Sequence, residues 1–315
     1  VNDPEALRRA ARLTARELRR MGINWALAPV CDLDVAPGSP IVGTRAAGAD
    51  PARAGAAIEE WVDACQAEGV LSCAKHFPGH GQSAQDSHRA LPQVRARAGQ
   101  LWHDDMLPFR CALDAGVGSL MTAHVSYSAL DSTDAPATLS APILTELLRG
   151  EMGFDGLIVS DALDMDGILA HGSEADVAVR AIAAGCDVLL APADPAGTAR
   201  ALERAAQGGS LSADRLRDAL ARREQWARWA QPASAREPSL DDVMWARQAA
   251  DRSVHLLRGA RPPLGAAVEI VEVDDDRGGP WPVPEGLHFA GARRGFDVHA
   301  SVVEEPGDRT RVPLL

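Results

Sequence analysis

Residues 70–77, VLSCAKHF, run apolar and then break into a Lys-His pair, and residues 157–163, LIVSDAL, repeat the form with Asp161 in the polar place. A nearly continuous apolar run of this length is what a strand buried on both faces of a parallel sheet requires. Working outward, 24–33 (NWALAPVCDL), 118–125 (GSLMTAHV) and 186–192 (CDVLLAP) have the same character. Helical patterns with start and stop signals lie around and between them. Leu7, Ala11, Thr14, Leu18 and Met21 have helical spacing over Glu5 to Arg20; Asp50-Pro51 opens a helix closed by Gly69. Ser140 with Pro142 opens one closed by Gly153, and Gly185 closes the helix from Glu174. Repeated strand and helix with short links predicts a parallel α/β sheet.

Two parallel architectures compete, an open doubly wound sheet and a closed (β/α)8 barrel. Lys75 and His76 end the second run, His124 the third and Asp161 the fourth, so polar groups from several strands gather at one rim. Barrels build their sites at that carboxyl-end rim, whereas open sheets concentrate theirs at one switch point, often with a Gly-rich phosphate loop. No G-x-G-x-x-G or P-loop follows any strand. The expected fold is therefore α/β, a TIM-type barrel. Five clear strands against the eight of a closed barrel predict that its first strand-helix units are lacking.

After the helical stretch 212–229 comes a Pro-, Ser- and Ala-rich linker, Gln231 to Ser239, then a helix over 240–254 and a strand-like run over 267–273. The expected division is a barrel over 1–230, linker and helix over 231–259, and the start of a second α/β domain over 260–315.

At 315 residues the chain can bury one large core, or a barrel with part of a second domain. The net charge of −12 and the lack of a basic stripe with interleaved aromatics argue against a nucleic-acid partner. Arginines between Arg215 and Arg228 alternate with Asp218 and Glu224 and read as a solvated helix face. No apolar run approaches the ~18 residues of a membrane span, and the start lacks the order of a signal peptide. The compartment is open between a favoured cytoplasmic and an extracytoplasmic location, because the helix that follows Val1 so directly predicts a missing beginning. Cys31, Cys65, Cys73, Cys111 and Cys186 show no C-x-x-C spacing and read as buried thiols. Neither metal nor cofactor is expected.

The chemistry concentrates in 74–92, AKHFPGHGQSAQDSHRALP. Pro78, Gly79 and Gly81 make a tight loop, and Asp86-Ser87-His88 sets a carboxylate two residues from an imidazole, on the same side if extended. Such a pair fixes the tautomer, favours the imidazolium and supplies a general acid near neutral pH. Alone it reads as structural; beside Asp161 the balance reverses, because a charge next to a barrel core must be compensated or functional. For the others the plainer readings hold. His80 shapes the loop or lines the site, His124 is an orienting histidine, and Asp32 and Asp34 tie down loops. Asp164 and Asp166 are loop or helix-start residues, and Trp25, Trp61 and Trp102 are packing.

Together these pieces resemble glycoside hydrolase family 3, in its bacterial β-N-acetylglucosaminidase branch. The matching segments are 28–34 APVCDLD, 41–48 IVGTRAAG, 74–81 AKHFPGHG, 86–88 DSH, 121–125 MTAHV and 157–163 LIVSDAL, in family order across about residues 5 to 230. The resemblance implies Asp161 as nucleophile, His88 as acid/base and Asp86 as its partner. It implies that Arg45, Lys75 and His76 contact the hydroxyls of N-acetylglucosamine. The implied activity is retaining hydrolysis of terminal β-linked N-acetylglucosamine from peptidoglycan fragments or chito-oligosaccharides through a covalent glycosyl-enzyme. Two alternatives stay open: a phosphorylase, because a His/Asp dyad repels an incoming anion less than a lone carboxylate does, and a truncated, non-catalytic sugar-binding relative. The second follows from the lack of the family's D-x-E-G-G-type segment, with truncation expected at both ends. Oligomeric state and aglycone preference cannot be read from the residues.

Overall fold

Asp50 accepts a hydrogen bond from the Arg53 amide at 2.8 Å, with Pro51 at the first helical position, and the helix Pro51–Ala67 follows. Asp3 with Pro4 and Asp194 with Pro195 start the helices Pro4–Arg20 and Pro195–Gln207 in the same way. Ser173 and Ser212 cap Glu174–Ala184 and Ala213–Trp229. Each cap satisfies an amide that the helix leaves unpaired and contributes about 1 kcal/mol.

The computed structural model describes residues 3–36, 42–83, 91–230, 237–253, 268–272 and 298–302. The strands are β1 (Trp25–Ala26), β2 (Leu71–Phe77), β3 (Gln93–Val94), β4 (Ser119–Thr122), β5 (Ser126–Tyr127), β6 (Leu157–Ala162), β7 (Val188–Leu190), β8 (Val268–Glu272) and β9 (Val298–Val302). One sheet takes the order β1-β2-β4-β6-β7, every pair parallel, with β3 and β5 forming a short parallel pair of their own. The order within the five-stranded sheet follows the chain without reversal. A doubly wound sheet reverses direction at its switch point; a sheet that always adds its next strand on the same side, with right-handed crossovers and native twist, curls instead. This is the sheet of a TIM-type α/β barrel, of which five strands are described.

Leu71, Cys73, Met121, Leu157 and Val159 fill the concave side with Trp25 and Trp226. Ala74, Leu120 and Ile158, on the opposite face, pack against Ile58, Val62, Phe109, Leu144 and Leu148 of the surrounding helices. The amino ends of the strands are plugged by Trp226: a Cβ at Gly118 would stand 2.2 Å from Leu71 and 2.5 Å from Trp226, so only glycine fits. Nearby, the buried Asp187 carboxylate accepts from Arg149 at 2.5 Å, Arg215 at 2.6 Å and the Ile158 amide at 3.0 Å, tying β6 to the start of β7. All these features lie at the end of the sheet opposite the polar rim.

Some expectations need correction. Of 24–33 only Trp25–Ala26 pairs as regular strand, although Val30 bridges Lys75. The amides of Leu71 and Cys73 bond to Asn24 and Ala28, so four residues on one strand face two on the other; Pro29 also lacks a donor. The third strand ends at Thr122, so His124 lies beyond it. The helix opened by Pro142 runs to Glu151 and is π-helical. The chain divides into two compact units, Val1–Ser239 and Leu240–Leu315. In the second, the described residues are the helix Leu240–Ser253 and the antiparallel pair β8 and β9. The cysteines are free thiols, four of them buried. Among the described residues no helix is long and apolar enough to cross a membrane.

Candidate active site

Leu157 and Val159 face the concave interior, and alternation carries Asp161 to the same side two residues later, at the carboxyl end of β6. Leu71 and Cys73 lead Lys75 there in the same way. Strict alternation would turn His76 outward, but the register of β2 against β4 shifts between Ala74 and Phe77. This irregularity lets Lys75 and His76 both serve the site and returns Phe77 to the outer layer, edge-on to Phe109. A second register shift, between Val159 and Ala162, flanks Asp161.

His76 is the centre of the arrangement. Its Nδ1 lies 2.7 Å from Asp32 Oδ2, and because a carboxylate only accepts, Nδ1 carries the proton. Its Nε2 faces Asp161 Oδ2 at 3.9 Å, beyond hydrogen-bond range. Asp32 Oδ1 accepts from the backbone amides of His76 at 3.1 Å and His80 at 2.7 Å. Burial pushes the Asp32 carboxyl up, but the charge and hydrogen bond of His76, with His80, outweigh it and hold it at about 2. Asp32 is therefore a fixed buried anion that orients one imidazole and the turn after it.

Asp161 keeps its side chain 16% exposed. Oδ1 accepts the Ala162 amide at 2.8 Å, which leaves Oδ2 toward the cleft. Burial again raises the carboxyl, and His76, His124, the Ala162 amide and Lys75 more than offset it, leaving it below the usual carboxylate range. A carboxylate kept ionised, oriented by one hydrogen bond and open on the other oxygen, is chemically a nucleophile or a cation stabiliser. Burial draws the Lys75 ammonium below its usual value; Cys73 and Asp161 pull it back up, and the charge of Arg45 pushes it down.

Arg45 lies on the turn Gly43–Arg45, exposed, and within electrostatic reach of Lys75. His124 is fully buried. Its Nε2 lies 2.9 Å from the Ala162 carbonyl and so carries a proton, while Nδ1 meets the Thr138 hydroxyl at 2.7 Å. It ties the end of β6 beside Asp161 to Thr138. His80 is buried with its ring edge-on to that of His76 at 6.1 Å, and burial lowers its pKa. Asp86 and His88 lie outside the described residues. Thus Lys75, His76, His124 and Asp161 are brought to one rim from the ends of three strands far apart in sequence.

Asp32 is the residue whose importance sequence reasoning underrated. It sits at the same rim, after β1, so applying the strand-end rule to the first strand as to the others would have raised it. Among the described residues no three His, Cys, Asp or Glu side chains converge as metal ligands.

A family model described as the glycosyl hydrolase family 3 N terminal domain matches residues 1–224. The chain belongs to glycosyl hydrolase family 3. A β-hexosaminidase of Chromobacterium violaceum is 44% identical over 176 residues, covering 56% of this chain and 48% of that protein. The solved structure of a family 3 β-N-acetylglucosaminidase from Paenibacillus sp. aligns with a TM-score of 0.77 at 32% identity, over 82% of this chain and 52% of the other. A β-glucoside phosphorylase aligns with a TM-score of 0.75 at 26% identity, over 84% of this chain and 52% of its own. The chain therefore spans about half the length of the relatives it matches. Its strand-end residues lie at the carboxyl-end rim, where (β/α)8 barrels in general build their sites.

Proposed function

We propose that this family 3 chain carries the catalytic machinery of a retaining glycosidase that removes terminal β-linked N-acetylglucosamine, with peptidoglycan fragments or chito-oligosaccharides as substrates. The carrying observation is Asp161: an ionised, partly exposed carboxylate at a barrel strand end, with one oxygen held by the Ala162 amide. Relatives named β-hexosaminidase, at up to 44% identity, support N-acetylglucosamine as the sugar. The phosphorylase alternative is not favoured, because the phosphorylase likeness is the more distant one, at 26% identity.

In this reading an Asp161 oxygen bonds to the anomeric carbon as the bond from that carbon to the leaving oxygen breaks. His88 gives its proton to the leaving oxygen, with Asp86 stabilising the imidazolium. Water then attacks the anomeric carbon from the face the leaving group vacated. Its proton passes to His88, the bond to Asp161 breaks, and configuration is retained. Lys75, His76 and Arg45 bind hydroxyls of the sugar. Asp32 holds His76 in one tautomer, so that its Nε2 faces both the sugar and Asp161.

Initial rates of p-nitrophenol release from the β-N-acetylglucosaminide and the β-glucoside test the reading, using this chain, a version extended upstream, and Asp161→Ala. Hydrolysis of the N-acetylglucosaminide alone, lost in Asp161→Ala, is the expected result. Turnover by neither form would leave a non-catalytic sugar-binding relative as the correct description.

A further inference from the structure

The turn Pro78–Ser83 after β2 is tied down at three points. The His80 amide donates to Asp32 at 2.7 Å, the Tyr127 hydroxyl donates to the Gly79 carbonyl at 2.9 Å, and the Gln82 side-chain amide donates to Asp105 Oδ2 at 2.5 Å. The third anchor is the unexpected one. Asp105 ends the helical segment Leu101–Asp105 and is 1% exposed, and its Oδ1 accepts no hydrogen bond from the described residues. A buried carboxylate with an unsatisfied oxygen is costly where an apolar side chain would pack without penalty. The turn lies directly on it: a Cβ at Gly79 would stand 2.9 Å from the Asp105 Cβ, and Gly79 has a φ of +127°.

We propose that Asp105 is a positioning residue of the active site, which through Gln82 holds the turn Gly79–Ser83 down against Asp32 and so fixes His80 beside His76 and Asp161. The inference rests on the glycosidase reading only for the purpose of the turn; the anchor itself is geometric. Asp105 acts through Gln82 and the backbone and touches no reacting atom.

The surroundings make this anchor sensitive to protons. Among the described residues, Asp104 faces Asp105 from its own helix and Asp32 from the segment after β1, while the Tyr127 phenol adjoins it from β5. Burial raises the Asp105 carboxyl, the Gln82 hydrogen bond lowers it, Asp104 and Asp32 raise it further, and the result is about 6. When the turn lifts and Asp105 meets water, its pKa falls back toward 3.8. The seated turn thus holds its proton more tightly than the lifted one. Seating is strongest below about pH 4, weakens as pH rises toward 6, and is constant above that.

Hydrogen exchange of peptides spanning 78–83, corrected for intrinsic rates, tests this on the full chain at about pH 4.5 and about pH 7.5. The unaltered protein is expected to show protection about tenfold higher at the lower pH. Asp105→Asn, which keeps an acceptor without titrating, is expected to show equal protection at both. Gln82→Ala, which removes the same bond from the turn side, is expected to lose protection at both. Equal protection at the two pH values in the unaltered protein, pH dependence surviving in Asp105→Asn, or unchanged protection in Gln82→Ala would each overturn the proposal. Near-UV circular dichroism checks that the variants fold, and Gln82→Ala, which trims a partly buried side chain without introducing a charge, decides the matter if Asp105→Asn does not. Exchange needs no turnover, so the two readings fail separately. Absent hydrolysis with the expected exchange pattern removes the glycosidase reading alone, and hydrolysis with the wrong pattern removes the anchor alone.

Discussion

His76 Nδ1 donates to Asp32 Oδ2 at 2.7 Å, across 44 positions of sequence, and this bond aims the opposite ring nitrogen at Asp161. A neutral amide at position 32 would keep the shape and lose the charge. Asp32→Asn is accordingly expected to lower kcat for the p-nitrophenyl β-N-acetylglucosaminide by roughly 30- to 100-fold, from about 2–3 kcal/mol for a buried hydrogen bond to a charged group. A rate within about twofold of the unaltered protein would mean that His76 needs no such partner.

The same carboxylate should be visible in acid stability. Its folded pKa of about 2 lies below the ordinary 3.8, so its contribution is fully present above about pH 4 and is lost as pH falls toward 2. The shift of nearly two units corresponds to about 2 kcal/mol. Urea unfolding between about pH 5 and about pH 2 should lose that much less stability in Asp32→Asn than in the unaltered chain. Parallel pH profiles for the two proteins would contradict it.

At Gly81 a Cβ would stand 2.1 Å from the Leu33 carbonyl oxygen, which is backbone and cannot swing aside. Gly81→Ala must therefore move the turn off the segment that carries Asp32. We expect a loss of at least about 2 kcal/mol in denaturant midpoint analysis, with reduced turnover. Unchanged stability would show that the turn yields freely there.

Asp187 joins Arg149 and Arg215 at the far end of the sheet from the reaction. Truncating it leaves two half-buried guanidinium groups facing each other. Asp187→Ala is expected to cost about 3–5 kcal/mol in chemical denaturation. KM for the N-acetylglucosaminide, measured on the protein that remains folded, should be unchanged. A raised KM with unaltered stability would reverse the division between structural and catalytic ends of the sheet.

Burial at Asp105 should also register thermally. Its folded pKa of about 6 exceeds 3.8, so a penalty of about 3 kcal/mol is present above pH 6 and disappears as pH falls through 6 toward 4. Asp105→Asn is expected to raise Tm at about pH 7.5 and to change it little near pH 4, as scanning calorimetry would record. A Tm lowered equally at both would mean that the ionised form is the stabilising one.

The sequence by itself determined the alternation of strands and helices, the helix starts at Asp50 and Glu174, and the rim that holds Lys75, His76 and Asp161. These are local matters: capping, periodicity and the cost of a charge at the end of an apolar run are set by neighbours a few residues away. It also carried the family resemblance, because those rim segments recur in a fixed order. Tertiary structure decided the rest. Only the parallel pairing of β1 with β2 brings Asp32 under His76, and only the register shift at Ala74–Phe77 turns two consecutive residues into one site. Neither is legible from spacing, because hydrogen bonds between residues 44 apart leave no local pattern and a bulge cancels the alternation from which strand faces are read. The contact of Asp105 with Gln82 belongs to the same class: its energetics come from burial, and burial is a property of the assembled sheet and helices.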